Sequence, residues 1–413
     1  MEFCSKCTYP SSHPLKLTFN NYKLCSGCLI HLEKDKIDWR VRFDKLKKIV
    51  KPYKSIKNYY NCIVPITGGR DSYFILDLVK NKLGLNPMLV NYNTHFNTEI
   101  GFRNLNYLRS IFGVPYINLT LDPNKIKKIV GFTLKEFGNI YWHCIAGQTV
   151  FPIQTAVKLK IPLIIWGAHQ GIDQVGMHSH LDEVEMSRRY RKNHDLFNLE
   201  AEDMLKKSTL SKNDLEPFFY PSDKSIVNSE VRGIYLNNYI RWDSKVQNEM
   251  MINKFGYETC NLNRTFDPYQ DVDSLYYSSI HDYFKYIKNG YSLVSDHANR
   301  EIRLGRLSRK DALHLIKFYR DRSIGNEREF IKWLNIDKKK LNYFYEKFRN
   351  TDIWYKNNNK WVLKKDLTEN IKIDYLHESK VKKILKNLNF NDNSRRTNKK
   401  FKKIPSLYSK GFD

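Results

Sequence analysis

No apolar run in the chain approaches the roughly 18 residues that would cross a bilayer as a helix. The first residues, MEFCSKC, carry neither a basic segment nor an apolar one, so no signal peptide is expected. With neither feature, a cytoplasmic protein without a membrane span is the simplest reading. A disulfide framework is disfavoured too, because the seven cysteines are an odd number in such a chain. No internal repeat is visible. Acidic residues are scarce, 44 against 70 Lys and Arg, for a net charge of +26. That surplus invites a nucleic-acid reading. Yet many cations sit in the tail, at Lys380–Lys386 and Arg395–Lys403, and the rest fit solvated faces. Nucleic acid is therefore not the expected partner, and an anionic small substrate would profit from the same field. Disorder is excluded for the bulk of the chain by 41% hydrophobic and 14% aromatic residues, and 413 residues suffice for two or three cores.

Four of the cysteines fall within the first 28 residues. Cys4-Ser-Lys-Cys7 and Cys25-Ser-Gly-Cys28 are CxxC pairs separated by Thr8–Leu24. Each turn brings two thiolates to one point, and two turns complete a tetrahedron, so a structural Zn2+ is expected on Cys4, Cys7, Cys25 and Cys28. The alternative is a redox pair or free thiols. Four sulfurs leave no open coordination position, which argues against catalysis there.

Hydrophobic periodicity predicts alternating strands and helices. Strands are expected at Cys62–Ile66, Met88–Tyr92, Val114–Leu121 and Leu163–Trp166. Helices are expected at Ser72–Leu83, Ile100–Phe112, 123–137 and 146–160, and 36–58 reads as a basic helix or linker. This is the pattern of an α/β fold, a doubly wound parallel sheet. Its ligands belong at the carboxyl ends of the strands. Residues 178–230 read as polar and irregular. The last third reads as helical, with a capping box at Ser308–Asp311 before Ala312–Tyr319 and helices near 327–335 and 337–349. The expected divisions are 1–35, a zinc knuckle; 36–230, the α/β domain; 231–385, an aromatic-rich, mainly helical region; and 386–413, a basic disordered tail.

Thr67-Gly68-Gly69-Arg70-Asp71-Ser72 follows the first strand and opens the next helix. It lacks the GxxxxGK[ST] pattern of a Walker loop and its lysine. The glycines let backbone N–H groups converge on an anion, and the helix N-terminus adds positive charge. Thr67 and Ser72 can donate to phosphate oxygens, while Asp71 can hold a magnesium ion or orient the loop. The plainer alternative is a Gly-Gly turn capped by Asp71 or Ser72.

The stretch resembles the SGGxDS motif of the PP-loop ATP pyrophosphatases, with Thr67 in place of the first serine. The resemblance implies that ATP is cleaved between its α and β phosphates and that AMP passes to a substrate oxygen, to be displaced by a nucleophile. It also implies that Asn91, Tyr92 and Asn93, with Gly167, lie near the nucleotide, and that ATP and Mg2+ are used.

A narrower resemblance runs nearly to residue 380. "IPLIIWG" at 161–167, "RGIYLNNYIRWD" at 232–243, "HDYFKYIKNGY" at 281–291 and "IRLGRLSRKDA" at 302–312, with the CxxC pairs and the loop, are similar to the N-acetyl sugar amidotransferases of the PseA/WbpG type. That family implies adenylation of an acetamido carbonyl and displacement of AMP by ammonia, giving an acetamidino sugar for surface polysaccharide or flagellin glycan biosynthesis. The substrate would be an N-acetylated sugar or nucleotide sugar. No glutaminase signature is present, and Cys144 lacks a Gly-Cys-Gly setting, so the nitrogen donor is expected to be another chain or free ammonia; the resemblance implies a separate glutaminase subunit.

Asp71, Ser72 and His169 are the catalytic candidates. His143, Asp282, Lys288, Arg303 and Arg306 are candidates for substrate contacts. For the arginines, Arg309 included, surface or capping roles compete. "HSHLDEVE" at 178–185 meets no metal spacing rule and reads better as a solvated loop. The rival function is a tRNA-modifying PP-loop enzyme of the thiolation or lysidine type. Cys62 and Cys144 are available to it, although Cys62 falls within a strand, where a small buried residue is ordinary.

Overall fold

The computed structural model describes residues 1–55, 60–207 and 209–394. Two helices, α1 (Ser26–Glu33) and α2 (Trp39–Lys54), precede the sheet. The sheet then alternates with helices in chain order: β1 (Cys62–Pro65), α3 (Ser72–Leu76), β2 (Pro87–Tyr92), α4 (Glu99–Phe112), β3 (Tyr116–Leu119), α5 (Pro123–Phe137), α6 (Trp142–Leu159) and β4 (Leu163–Trp166). The fifth strand is β5 (Arg232–Tyr235). All five strands are parallel, in the order β3-β2-β1-β4-β5. The chain moves outward from β1 through β2 to β3, then returns to the other side of β1. That reversal opens a crevice at the carboxyl ends of β1 and β4, where a doubly wound sheet binds its ligand.

Successive side chains of each strand enter different cores, as the pleat requires. Cys62 and Val64 of β1, Leu89 of β2 and Leu163 and Ile165 of β4 pack with α2, α3 and α4. Ile63, Met88, Val90 and Ile164 face Val150, Ile153 and Ala156 of α6. Cys62 is buried there as a strand residue, as its position in the sequence suggested.

The expected helix at Ser72–Leu83 changes character midway. It is α-helical to Leu76 and π-helical over Asp77–Lys82. Residues 178–230 contain short helices where irregular chain was expected: α7 (Gln170–Asp173) just before, then α8 (Arg188–Tyr190), α9 (Ala201–Lys207), α10 (Lys212–Leu215) and α11 (Asp223–Asn228). Each is too short for periodicity to register. β5 was missed for the same reason, and it carries the sheet past the division expected at 230.

Beyond β5 lie α12 (Ser244–Phe255), α13 (Leu275–Asn289), α14 (Leu293–Arg303), α15 (Arg309–Arg320), α16 (Glu327–Leu334) and α17 (Lys338–Lys347). Ser308 caps α15, its Oγ accepting from the Asp311 amide at 3.0 Å. A hairpin of β6 (Trp354–Asn357) and β7 (Lys360–Leu363) interrupts the helices. Its two turn residues, Asn358 and Asn359, have φ of 47° and 59°, the left-handed pair of a type I′ turn. The final helix, α18 (Tyr375–Leu388), packs on α15. It carries Lys380–Lys386 within an ordered element, so the expected disorder does not begin near 385. Residues 391–394 are hydrogen-bonded as well. The rest of the expected tail lies outside the described residues. Among those described, no helix is long and apolar enough to cross a membrane.

Candidate active site and zinc centre

The loop between β1 and α3 is shaped by contacts that only glycine permits. Gly68 has φ +84°, and a Cβ there would meet the Gly101 carbonyl at 2.8 Å. A Cβ on Gly69 would come within 2.8 Å of Asp273 Oδ1. The Thr67 and Gly68 amides donate to Ser72 Oγ at 3.4 and 3.3 Å, and the Gly69 amide to Thr67 Oγ1 at 3.1 Å. Asp71 is the N-cap residue of α3 without capping it. Its Oδ1 is buried and without a hydrogen-bond partner, and burial raises its pKa despite the neighbouring Arg70. Arg70 instead donates from Nη1 to Gln270 Oε1 at 2.5 Å.

This loop forms one end of a cavity of about 330 Å³ at the sheet's reversal point. That volume is within the ordinary range for small-molecule sites. The cavity brings together Thr67, Gly69, Arg70, Asp71, Ser72, Tyr92, Gly167 and His169 among the expected residues. His169 is buried behind β4 with both ring nitrogens unpartnered. Its ring lies 3.6 Å from that of Tyr190 and 4.6 Å from that of Tyr235, centre to centre. Burial, helped by His194, pulls its pKa down to about 2. A neutral imidazole of that kind is a hydrogen-bonding wall and a poor proton carrier at neutral pH.

Asn91 faces elsewhere. It lines a second cavity of about 310 Å³, shared with Thr67, and donates to Asn118 Oδ1 at 2.8 Å. Asn93 lines neither of these cavities; it donates to Thr120 Oγ1 and accepts from the His95 amide. His143 stands behind the first cavity's wall: Tyr92 Oη is 3.1 Å from its Nδ1, and burial lowers its pKa to about 3.

The other four substrate candidates are structural ties away from the cavity lining. Asp282 accepts from Arg264 Nε at 2.6 Å in a buried pair. Lys288 donates to the carbonyls of Phe137 and Gly138 at the end of α5. Burial lowers its pKa to about 8. Arg306 forks onto Asp243 at 2.6 and 3.1 Å and reaches Glu301 at 2.6 Å. Arg303 donates to the Gln174 carbonyl at 2.7 Å and lies 3.7 Å from Cys25 Sγ. Each is held by partners within the protein and none lines the cavity, although Arg303 Nε is buried without a hydrogen-bond partner.

The sequence reading passed over Gln270, Asp271, Asp273 and Ser274, which line the cavity from the segment before α13. Burial lifts Asp273 to about 6, against the hydrogen bond from Thr67 and with help from Asp271. The available signal was "DPYQDVD" at 267–273, three acids in seven residues. Three carboxylates, Asp71, Asp271 and Asp273, line this cavity beside the Thr67–Ser72 loop, but their oxygens form no group at metal-ligand spacing among the described residues.

Cys4, Cys7, Cys25 and Cys28 are buried, and their sulfurs all lie within 4.8 Å of one another. The Cys7–Cys25 and Cys4–Cys28 sulfurs are 3.6 and 3.9 Å apart. A tetrahedral zinc with sulfur ligands spaces them by about 3.8 Å, so the cluster fits the metal. The "HSHLDEVE" stretch forms no such cluster among the described residues.

Residues 234–368 match a family model described as "LPS biosynthesis protein WbpG-like, C-terminal domain". A curated relative, the uncharacterized protein MJ1599 of Methanocaldococcus jannaschii, is 29% identical over 105 residues, 24% of this chain and 36% of its own. The chain thus spans about a third of that relative's length. A solved structure, the NH3-dependent NAD synthetase from Campylobacter jejuni with a nitrate ion, is 15% identical with a TM-score of 0.26. It covers 55% of this chain and 99% of its own.

Proposed function

We propose, for a chain whose residues 234–368 belong to the WbpG-like C-terminal-domain family, an ATP-dependent amidotransferase acting on an N-acetylated sugar. The observation that carries this reading is the cavity where the Thr67–Ser72 loop, the acids Asp271 and Asp273 and the β4 wall at Gly167–His169 converge. In the reaction, the acetamido oxygen attacks the α-phosphorus of ATP and pyrophosphate leaves. Ammonia then adds to the activated carbon, AMP departs with the oxygen, and one proton is released, leaving an acetamidino group. The loop amides and the hydroxyls of Thr67 and Ser72 seat the departing pyrophosphate. Asp71 would hold Mg2+, which neutralises phosphate charge, and Asp271 and Asp273 line the same cavity. His169, Tyr190 and Tyr235 give the sugar an enclosed wall and keep water from the activated carbon. Arg303 and Arg306 have no part in it, and a separate glutaminase supplies ammonia.

The test is release of AMP and pyrophosphate from ATP with ammonium and a panel of N-acetylated sugars. Sugar-dependent release is expected. Release stimulated by tRNA and by no sugar would replace this reading with a tRNA-modifying one.

A further inference from the structure

Arg303 ends α14 as a buried cation without an acid. It is only 7% exposed. Its Nη1 donates to the carbonyls of Asp173 and Gln174 at 3.4 and 2.7 Å, and its Nη2 to Cys25 Sγ at 3.7 Å. Its Nε is buried and finds no hydrogen-bond partner. The guanidinium carbon lies 5.3 Å from the centre of the Tyr9 ring. The acids on the neighbouring elements are taken. Asp173 pairs with Lys34, Asp296 with Lys285, and Glu301 with Arg300 and Arg306. None of the three Arg303 nitrogens meets a carboxylate among the described residues. A guanidinium stays charged when buried, and that is costly unless an opposite charge meets it.

The opposite charge within reach is sulfur. Zn2+ on four thiolates would carry a net charge of about −2. Cys4 Sγ accepts from the amides of Cys7 and Cys25 at 3.4 and 3.3 Å. Those donors are neutral, whereas the donor to Cys25 Sγ is a full cation. The chain makes room for that cation at Gly27, inside the second CxxC turn. A Cβ there would come within 2.4 Å of Arg303 Nη2 and 2.9 Å of its Cζ. The missing side chain is what lets the guanidinium lie against the sulfur.

We propose that Arg303 is the counter-charge of the four-cysteine zinc centre and holds the Cys25 thiolate through Nη2. It binds no metal itself and touches no reacting atom, so it is a positioning residue. Its Nη1 holds the carbonyls of Asp173 and Gln174, in the turn after His169, and one guanidinium thereby joins the metal to that turn. The inference rests on the fit of the four sulfurs to zinc and is independent of the sugar reaction.

The experiment uses the full chain and two readouts. Zn2+ affinity is measured by competition with a chromophoric chelator, and Co2+ is substituted to record the sulfur-to-cobalt charge-transfer band. Arg303→Gln keeps a donor for the carbonyls and removes the charge. It should weaken Zn2+ binding at least about tenfold and move the cobalt band to longer wavelength, because a thiolate without its cation gives up electron density more easily. A merely structural role would lower stability and leave the band in place. Arg303→Lys, charged but without the fork, should hold Zn2+ more tightly than the glutamine variant. If the glutamine variant does not fold, Gly27→Ala carries the test, since its Cβ displaces Nη2 from Cys25 and should shift the band in the same direction. The inference is overturned if the parent shows no sulfur-to-cobalt band, if the band stays in place in the variant measured, if lysine does no better than glutamine, or if Arg303→Gln holds Zn2+ within about threefold of the parent.

Discussion

Asp71 combines a buried carboxylate oxygen that accepts no hydrogen bond, 3.7 Å from Arg70 Nε, with a place at the start of α3 in the Thr67–Ser72 loop. Its raised pKa means that the fold resists the charged form. Replacing it by a neutral isostere therefore relieves a cost while removing a cation ligand. Asp71→Asn should lower AMP formation by about 100-fold or more, with a melting temperature at pH 7.5 equal to or above that of the parent. Activity within about threefold of the parent would remove Asp71 from the phosphate chemistry. The arginines teach the opposite lesson at the same scale. Arg303 and Arg306 look like ligand groups in "IRLGRLSR", yet each is spent on internal acceptors. Arg191, in an unremarked "SRRYRK", lines the cavity instead, with buried Nε and Nη1 that find no hydrogen-bond partner. Residue type was readable from the sequence, but pairing was not, because every partner is distant along the chain or chosen by packing.

At the scale of elements, the four-cysteine module is a brace for the cavity. Ser26 Oγ donates to the Val175 carbonyl at 2.7 Å, and a Cβ on Gly176 would meet the Ser26 carbonyl at 2.4 Å. Lys34 pairs with Asp173. On the other side, Arg309 donates to the Cys7 carbonyl at 3.0 Å and Thr8 to Asn299 at 2.7 Å. The module is therefore wedged between the turn that follows His169 and the helices α14 and α15. Purified protein should contain about one zinc per chain. Stripping it with a chelator should lower the melting temperature by at least about 5 °C and reduce AMP formation, since the His169 turn loses its support. Unchanged melting after chelation would show that the cluster holds no structural metal. The CxxC spacing pointed to the four-cysteine cluster because both turns are local. The brace was invisible because it joins residues more than a hundred positions apart.

Across the whole molecule, the last described residues pack back on the segment that follows α12. Asn393 donates to the Tyr257 carbonyl and to Thr259 Oγ1, both at 2.8 Å, and Asp392 accepts from Thr259 and Asn261. These bonds tie residues 392–393 to the stretch that leads into Asp267–Asp273. With several partly buried bonds at about 1 kcal/mol each, a chain ending at 388 should be less stable than one ending at 394 by about 3 kcal/mol in urea unfolding. Equal stability would show that the clasp contributes nothing. The sequence by itself determined the alternating α/β pattern, the glycine loop between β1 and α3 and the four-cysteine cluster, all of them governed by residues close in the chain: period, turn chemistry and spacing. Only the tertiary structure decided that the sheet runs β3-β2-β1-β4-β5 and so opens its crevice beside β1. It alone set Asp271, Asp273 and Arg191 around one cavity while spending Asp282, Lys288, Arg303 and Arg306 on internal ties. The physical reason is that a buried charge must find a partner, and which partner it finds depends on how distant segments pack.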